Sequence, residues 1–335
     1  METQIPMREM GGYLPLEGNR QTDYFSALPF EGDVLRTNSG KAAIYHGLLT
    51  LEAPTVHMPY YCCSSVFMAA QDAGKRIQHY HLTDTFLPDL AEVEPDPQQD
   101  ILFLVNYFGA LSKTVADYAL SQQDRFAAVV VDQSHCFFAA PLMSSRIYNV
   151  YSCRKFFGVP DGGYLIASSL PVRELPNYKA SDHFQYLVVS LEEGQNAAYK
   201  DSKAANEAVQ AEYIGMSEAS RQILGLVDYR RVAAARRDNF KRLHEAFQSI
   251  NRFDLSTVTD PLYIFPLWLE RNIKAELVAQ KIYVPTLWRE ALIPACEDRM
   301  EYDLTENTAF LPLDQRYGAT DMEYLVGIVK DILKK

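Results

Sequence analysis

Apolar and polar positions alternate in blocks that point to a layered α/β chain. Ile101–Val105 and Ala127–Val131 are short, continuous apolar runs, as expected of parallel strands buried on both faces. Val56–Cys63 reads as a strand running into a loop, Arg76–Tyr80 as a further strand, and Ile147–Tyr151 and Tyr164–Ala167 as two more. Helical spacing fills the intervals: Ala42–Leu49, then Val66–Ala73, capped by Ser64 and Ser65 and closed at Gly74, then Val115–Leu120. Asp84–Asp100, rich in proline and acids, reads as a surface connection. Strand, helix and strand in this order predict a mostly parallel sheet with right-handed crossovers.

Beyond residue 180 the pattern changes. Asp182–Gln222 is mostly helical, and Arg230–Ser249 forms a second helix whose Arg236 and Arg237 read as part of a solvated face. Strands are then expected at Leu262–Leu269, Tyr283–Trp288 and within Ala309–Tyr317, with an amphipathic closing helix at Asp321–Leu333. The division that follows is a large domain, 1–225, and a smaller α+β domain, 226–335.

Composition narrows the field. A formal net charge of −11 argues against nucleic-acid binding, which needs a basic face. Charges interrupt every apolar stretch before membrane-spanning length, and the first ten residues lack the apolar core of a secretory leader. The five cysteines, with Cys62 and Cys63 adjacent, fit neither a disulfide framework nor a CxxC zinc pair, so the reducing cytoplasm is the expected compartment. The 21 tyrosines and 17 phenylalanines supply a core and can line a pocket or a subunit boundary.

Candidate chemistry collects where strands end. In open α/β sheets ligands gather at the carboxyl ends of the strands. Asn106, Tyr107, Asp132, His135, Ser152 and Lys155 all follow apolar runs directly. Asp132 could equally cap a helix after its strand. Thr37-Asn38-Ser39-Gly40-Lys41 has the chemistry of a helix N-terminus, whose N–H groups and dipole form an anion site. Lys155, beside Ser152 and ahead of the turn at Pro160-Asp161-Gly162-Gly163, suits covalent attachment of an aldehyde cofactor. No GxGxxG follows the early strands, which counts against a dinucleotide enzyme.

Together these segments resemble a family. Ser39-Gly40, Pro59-Tyr60-Tyr61-Cys62, Asn106-Tyr107-Phe108-Gly109, Asp132-Gln133-Ser134-His135 and Ser152-Cys153-Arg154-Lys155 stand in the family's order. Pro160–Gly163, Arg237–Phe240 and Leu311–Tyr317 complete the series. The chain resembles the DegT/DnrJ-type sugar aminotransferases from about residue 11 to its C-terminus. That resemblance implies an α/β fold of the type I pyridoxal-phosphate class: a large domain with a mostly parallel sheet flanked by helices, plus a smaller C-terminal α+β domain. It further implies pyridoxal 5'-phosphate as cofactor, an amino-acid donor such as glutamate, a keto-sugar acceptor linked to a nucleotide, and a homodimer.

On the same basis Lys155 would bind the cofactor covalently and move the α-proton, while Asp132 would pair with the pyridine nitrogen. His135 would lie beside the phenolic oxygen. Ser39, Gly40 and Lys41 would cradle the phosphate through backbone N–H groups, with Ser152 adding a hydroxyl. Tyr61, or a neighbour within Tyr60–Cys63, would stack on the ring. The chain departs from the family in having Lys41 after Ser39-Gly40 where threonine is usual. It also has Pro160-Asp161 where Gly-Glu is usual, and Ser152 lies nearer the lysine. The polar and aromatic segment Asp182–Ala211 is the expected subunit contact.

Overall fold

The structure, a computed structural model, describes residues 12–18, 23–91, 93–171 and 173–334. Residues 1–11, which include the first ten residues and the start of the family likeness, lie outside these.

Nine strands and ten helices form among the described residues. The strands of the main sheet are β1 (Asp33–Thr37), β2 (Thr55–Pro59), β3 (Arg76–Tyr80), β4 (Asp100–Val105), β5 (Ala128–Asp132), β6 (Ile147–Ser152) and β7 (Gly163–Ala167). They lie in the order β1-β7-β6-β5-β4-β2-β3. β3, β2, β4, β5 and β6 run parallel, and β7 is antiparallel to both β6 and β1. β2, β5 and β7 are buried at every residue, and β4 at every residue after Asp100; continuous apolar runs account for β4 and β5, whereas β2 also buries Thr55 and His57. Because β1 is reversed twice relative to β6, its carboxyl end meets the same edge as those of the parallel strands. Asp132 and Ser152, which end β5 and β6, lie on that edge.

Helices α1 (Gly40–Leu49), α2 (Ser64–Asp72) and α3 (Ser112–Gln122) come from the first half of the chain. Ser64 and Ser65 do not cap α2. Cys63 takes the cap position without a side-chain bond, and the Ser64 N–H is instead met at 2.8 Å by the remote carboxylate of Glu290. Asp182–Gln222 is divided into α4 (Gln185–Glu192), α5 (Gln195–Gln210) and α6 (Glu218–Leu224). Gly194, at φ +97°, makes the turn between α4 and α5.

The C-terminal third has α7 (Tyr229–Phe247), β8 (Phe265–Trp268), α8 (Lys274–Ala279), α9 (Met300–Asn307), β9 (Thr308–Leu311) and α10 (Ala319–Leu333). β8 and β9 form an antiparallel pair. The strand expected at Tyr283–Trp288 is absent: Pro285 offers no N–H to a ladder, and Trp288 takes a left-handed conformation at φ +55°.

Arg236 overturns the solvated-face reading of α7. It is 1% exposed and donates to the carbonyls of Leu262 (2.8 Å) and Tyr263 (3.0 Å) and to Gln315 Oε1 (2.9 Å). Helical spacing alone does not reveal that the chain returns to cover this position. One continuous hydrophobic core joins the sheet to the C-terminal elements, including Phe103, Val130, Phe265, Trp288 and Phe310. A second, aromatic core packs Phe25, Phe137, Tyr151, Phe156 and Tyr164 beneath β6 and β7.

Candidate active site

Lys155 closes a short 3-10 turn, Cys153–Lys155, immediately after β6. Its neighbours fix it: Cys153, Phe156 and Phe157 are buried, and the Cys153 N–H bonds to the Gly162 carbonyl at 3.0 Å. Gly162, at φ +131°, leads into β7, and its N–H reaches the Asn38 carbonyl at 2.7 Å. Asp161, fully buried, accepts from the Ser217 N–H at 2.8 Å and from the hydroxyls of Ser217 and Ser220. Burial pushes the Asp161 carboxyl upward, with these serines opposing. The Pro160–Gly163 turn is therefore a bracket between the start of α1 and the start of α6.

That bracket shapes an anion cup. Ser39 is the N-cap of α1, its hydroxyl accepting from the Ala42 N–H at 3.0 Å. Asn38 is anchored by its N–H to the Ile214 carbonyl (2.8 Å) and by its side-chain amide to those of Val209 (3.0 Å) and Glu212 (3.1 Å). A Cβ at Gly40 would lie 3.1 Å from Ser134 Oγ and 3.2 Å from Ser152 Cβ. Two hydroxyl-bearing loops thus converge on the first turn of α1, whose N–H groups and dipole favour negative charge. The Lys41 side chain turns away, donating to the Gln210 carbonyl at 3.0 Å with its ammonium 4.9 Å from the centre of the Tyr213 ring. Only its backbone belongs to the cup.

Asp132 ends β5. No helix follows it, so it caps none; its Oδ1 accepts the Ser134 N–H at 2.8 Å within an irregular turn. Burial raises its pKa, opposed by Ser134 and by the positive charge of Lys155. Among the described residues no ion pair within bonding distance involves Asp132. His135, on the same loop, is buried and held neutral: burial takes its pKa well below 6.5, and Lys155 adds to the effect. Its Nδ1 is buried without a hydrogen-bond partner.

A buried unpaired carboxylate, a neutral imidazole with a spare nitrogen, an amine and an anion cup thus line one end of the sheet. Such a set can hold a flat cationic heterocycle bearing a phosphate, and can move a proton between the amine and a bound carbon acid.

Other expected residues have different places. Tyr61 is fully buried in the main core, its ring 5.5 Å from that of Tyr107 and 4.6 Å from that of Trp288. Burial, with the charge of Asp132 adding to it, raises the thiol pKa of the next residue, Cys62. Asn106 and Tyr107 serve as supports. The Asn106 amide bonds to Gln133 Oε1 (2.8 Å) and Ser112 (3.0 Å), and the Tyr107 hydroxyl to the Tyr61 carbonyl (2.9 Å). The sequence reading did not single out Ser134, Tyr263 or Trp288. Ser134 stood inside a quoted motif; the other two lie more than 100 positions from Lys155 and carry no local signal.

No protein-family model matches the chain, and no curated protein matches its sequence. Solved structures do. The PLP-form of a Streptococcus pneumoniae protein, provisionally described as a sugar aminotransferase, superposes with a TM-score of 0.62 at 16% identity, covering 89% of this chain and 86% of that one. A DegT DnrJ EryC1 StrS aminotransferase from Brucella abortus gives 0.61 at 14% identity, covering 90% and 86%. The sugar aminotransferase CalS13 from Micromonospora echinospora gives 0.59 at 14%, covering 89% and 87%. These superpositions agree: the chain has the fold of the DegT/DnrJ-type aminotransferases, the fold type I class.

Proposed function

We propose that this protein is a pyridoxal-phosphate-dependent aminotransferase that moves an amino group from an amino acid, with glutamate as donor, to a keto sugar carried on a nucleotide. One observation carries the reading: Asp132, a buried carboxylate without an ion-pair partner, lies on the same strand edge as Lys155 and the anion cup at α1. Pyridoxal phosphate would supply an electron-withdrawing ring that acidifies the substrate's α-carbon. The cup of Ser39, Gly40, Lys41 and Ser152, with Ser134 beside it, would hold the phosphate through backbone N–H groups and hydroxyls. Asp132 would pair with the pyridine nitrogen and favour its protonated form, which would give the buried carboxylate a cationic partner. His135 offers its spare nitrogen to the phenolic oxygen. Lys155 would hold the aldehyde group through its amine, and its Nζ is the atom that would take and return a proton.

The two domains, 1–225 and 226–335, are part of the same reading, as is a homodimer formed through α4 and α5. Leu191 (86% exposed) and Tyr199 (72%) lie on that helical pair, and a two-fold contact would use the patch twice. Five free cysteines and the lack of any described helix able to cross a membrane favour the cytoplasm.

The test is a visible spectrum of the protein loaded with pyridoxal phosphate. An absorbance band that bleaches on adding glutamate and returns on adding a nucleotide-linked keto sugar is expected. A protein that takes up no cofactor, or whose band ignores every amino donor, overturns the reading in favour of a non-catalytic relative of the fold.

A further inference from the structure

Asp132, His135 and Lys155 all precede β7. Two aromatic side chains from the C-terminal third nevertheless reach them. The Tyr263 ring lies 4.7 Å from the His135 imidazole and 5.1 Å from Lys155 Nζ, where its face attracts the ammonium. The Trp288 ring stacks on the same imidazole, 5.4 Å away and inclined by 11°.

Both are held in place from behind. Arg236 grips the Tyr263 carbonyl and Gln315, and Gln315 Nε2 donates at 2.7 Å to the carbonyl of Phe156, the neighbour of Lys155. Trp288 sits at φ +55°, which a bulky side chain adopts only when its surroundings impose it. Its carbonyl accepts from the Ala291 N–H at 3.0 Å, and Tyr61 and Phe108 flank its ring.

We propose that Tyr263 and Trp288 are positioning residues: together their rings fix the His135 imidazole, and Tyr263 also fixes the Lys155 amine, so the C-terminal third sets the geometry of a site built by the first half. The proposal rests on the aminotransferase reading for what His135 and Lys155 do, but not for how they are held. If the rings only fill space, any apolar side chain of similar bulk serves. If they position, a flat ring is required.

The experiment compares Tyr263→Phe and Trp288→Phe with Tyr263→Leu and Trp288→Leu. In cofactor-free protein the ring-current-shifted His135 Hε1 resonance, identified by its loss in His135→Gln, is recorded by NMR. The dissociation constant for pyridoxal phosphate is then measured by absorbance. The leucine variants are expected to move the resonance toward that of an exposed histidine and to weaken cofactor binding roughly tenfold, while the phenylalanine variants stay within about twofold of the parent. Leucine variants that leave either quantity unchanged, or phenylalanine variants that lose as much as leucine, overturn the proposal. Should a leucine variant fail to fold, methionine, which fills the volume without a rigid ring, replaces it under the same criteria. A parent protein that binds no pyridoxal phosphate defeats the aminotransferase reading instead, and the resonance then decides the proposal by itself.

Discussion

Gly163 lies so close to Ser39 that a Cβ on Gly163 would stand 2.4 Å from the Ser39 carbonyl carbon and oxygen and 2.7 Å from the Gly40 nitrogen. Backbone meets backbone here, so no side chain can yield. Gly163→Ala must push the start of α1 off β7 and open the anion cup. The expected cost is about 1–3 kcal/mol in stability from overpacking, with a clear loss of phosphate-group affinity. Thermal denaturation and titration with pyridoxal phosphate check it; parent-like affinity would show that the cup is not the phosphate site.

Lys155→Ala should abolish turnover and prevent borohydride from fixing the cofactor to the protein. Peptide mapping of the reduced parent should place the adduct on Lys155. An adduct on Lys41 is not expected, since that ammonium is engaged by the Gln210 carbonyl on the far side of α1.

Asp132→Asn keeps the shape and removes the charge. The pyridine nitrogen would lose the partner that keeps it protonated, and turnover should fall by roughly a thousandfold or more, as when a preorganised electrostatic partner is lost. Binding should fall far less. Near-parent turnover would leave Asp132 as a local turn-former for Ser134.

His135 makes a pH prediction for the cofactor-free protein. Its folded pKa lies well below the usual 6.5, so the unfolded chain binds the extra proton first as pH falls through 6.5. Its contribution therefore lowers stability on acidification from pH 7.5 toward 5, and restores it as pH rises. His135→Gln should flatten the stability profile over that window. An unchanged slope in denaturant unfolding would mean that the imidazole is charged in the fold.

Arg236→Met should cost about 2–4 kcal/mol, because the carbonyls of Leu262 and Tyr263 would be buried without their donor. The guanidinium itself is under strain from burial, which takes its pKa down to about 10. A variant as stable as the parent in denaturant unfolding would show that water replaces the guanidinium.

The sequence by itself marked most strands of the sheet, though not β1 at Asp33–Thr37, and residues on its edge. Ile101–Val105 and Ala127–Val131 read as strands buried on both faces, and the second places Asp132 at its carboxyl end, as Ile147–Tyr151 does Ser152. Ser39-Gly40 before a helical run determined the capped start of α1, since capping chemistry is local.

Other features were settled only by tertiary structure. Helical spacing put Arg236 among solvated charges, yet the returning segments at 262–263 and 315 bury it, and no pattern within α7 records what covers it. Tyr61 is fully buried, with its ring against those of Tyr107 and Trp288, contacts that its own segment does not record. Tyr263 and Trp288 were invisible as site residues because their contacts with His135 join positions more than 120 apart in the chain. Periodicity and turn chemistry act over a few residues, whereas the meeting of distant side chains depends on how whole elements pack.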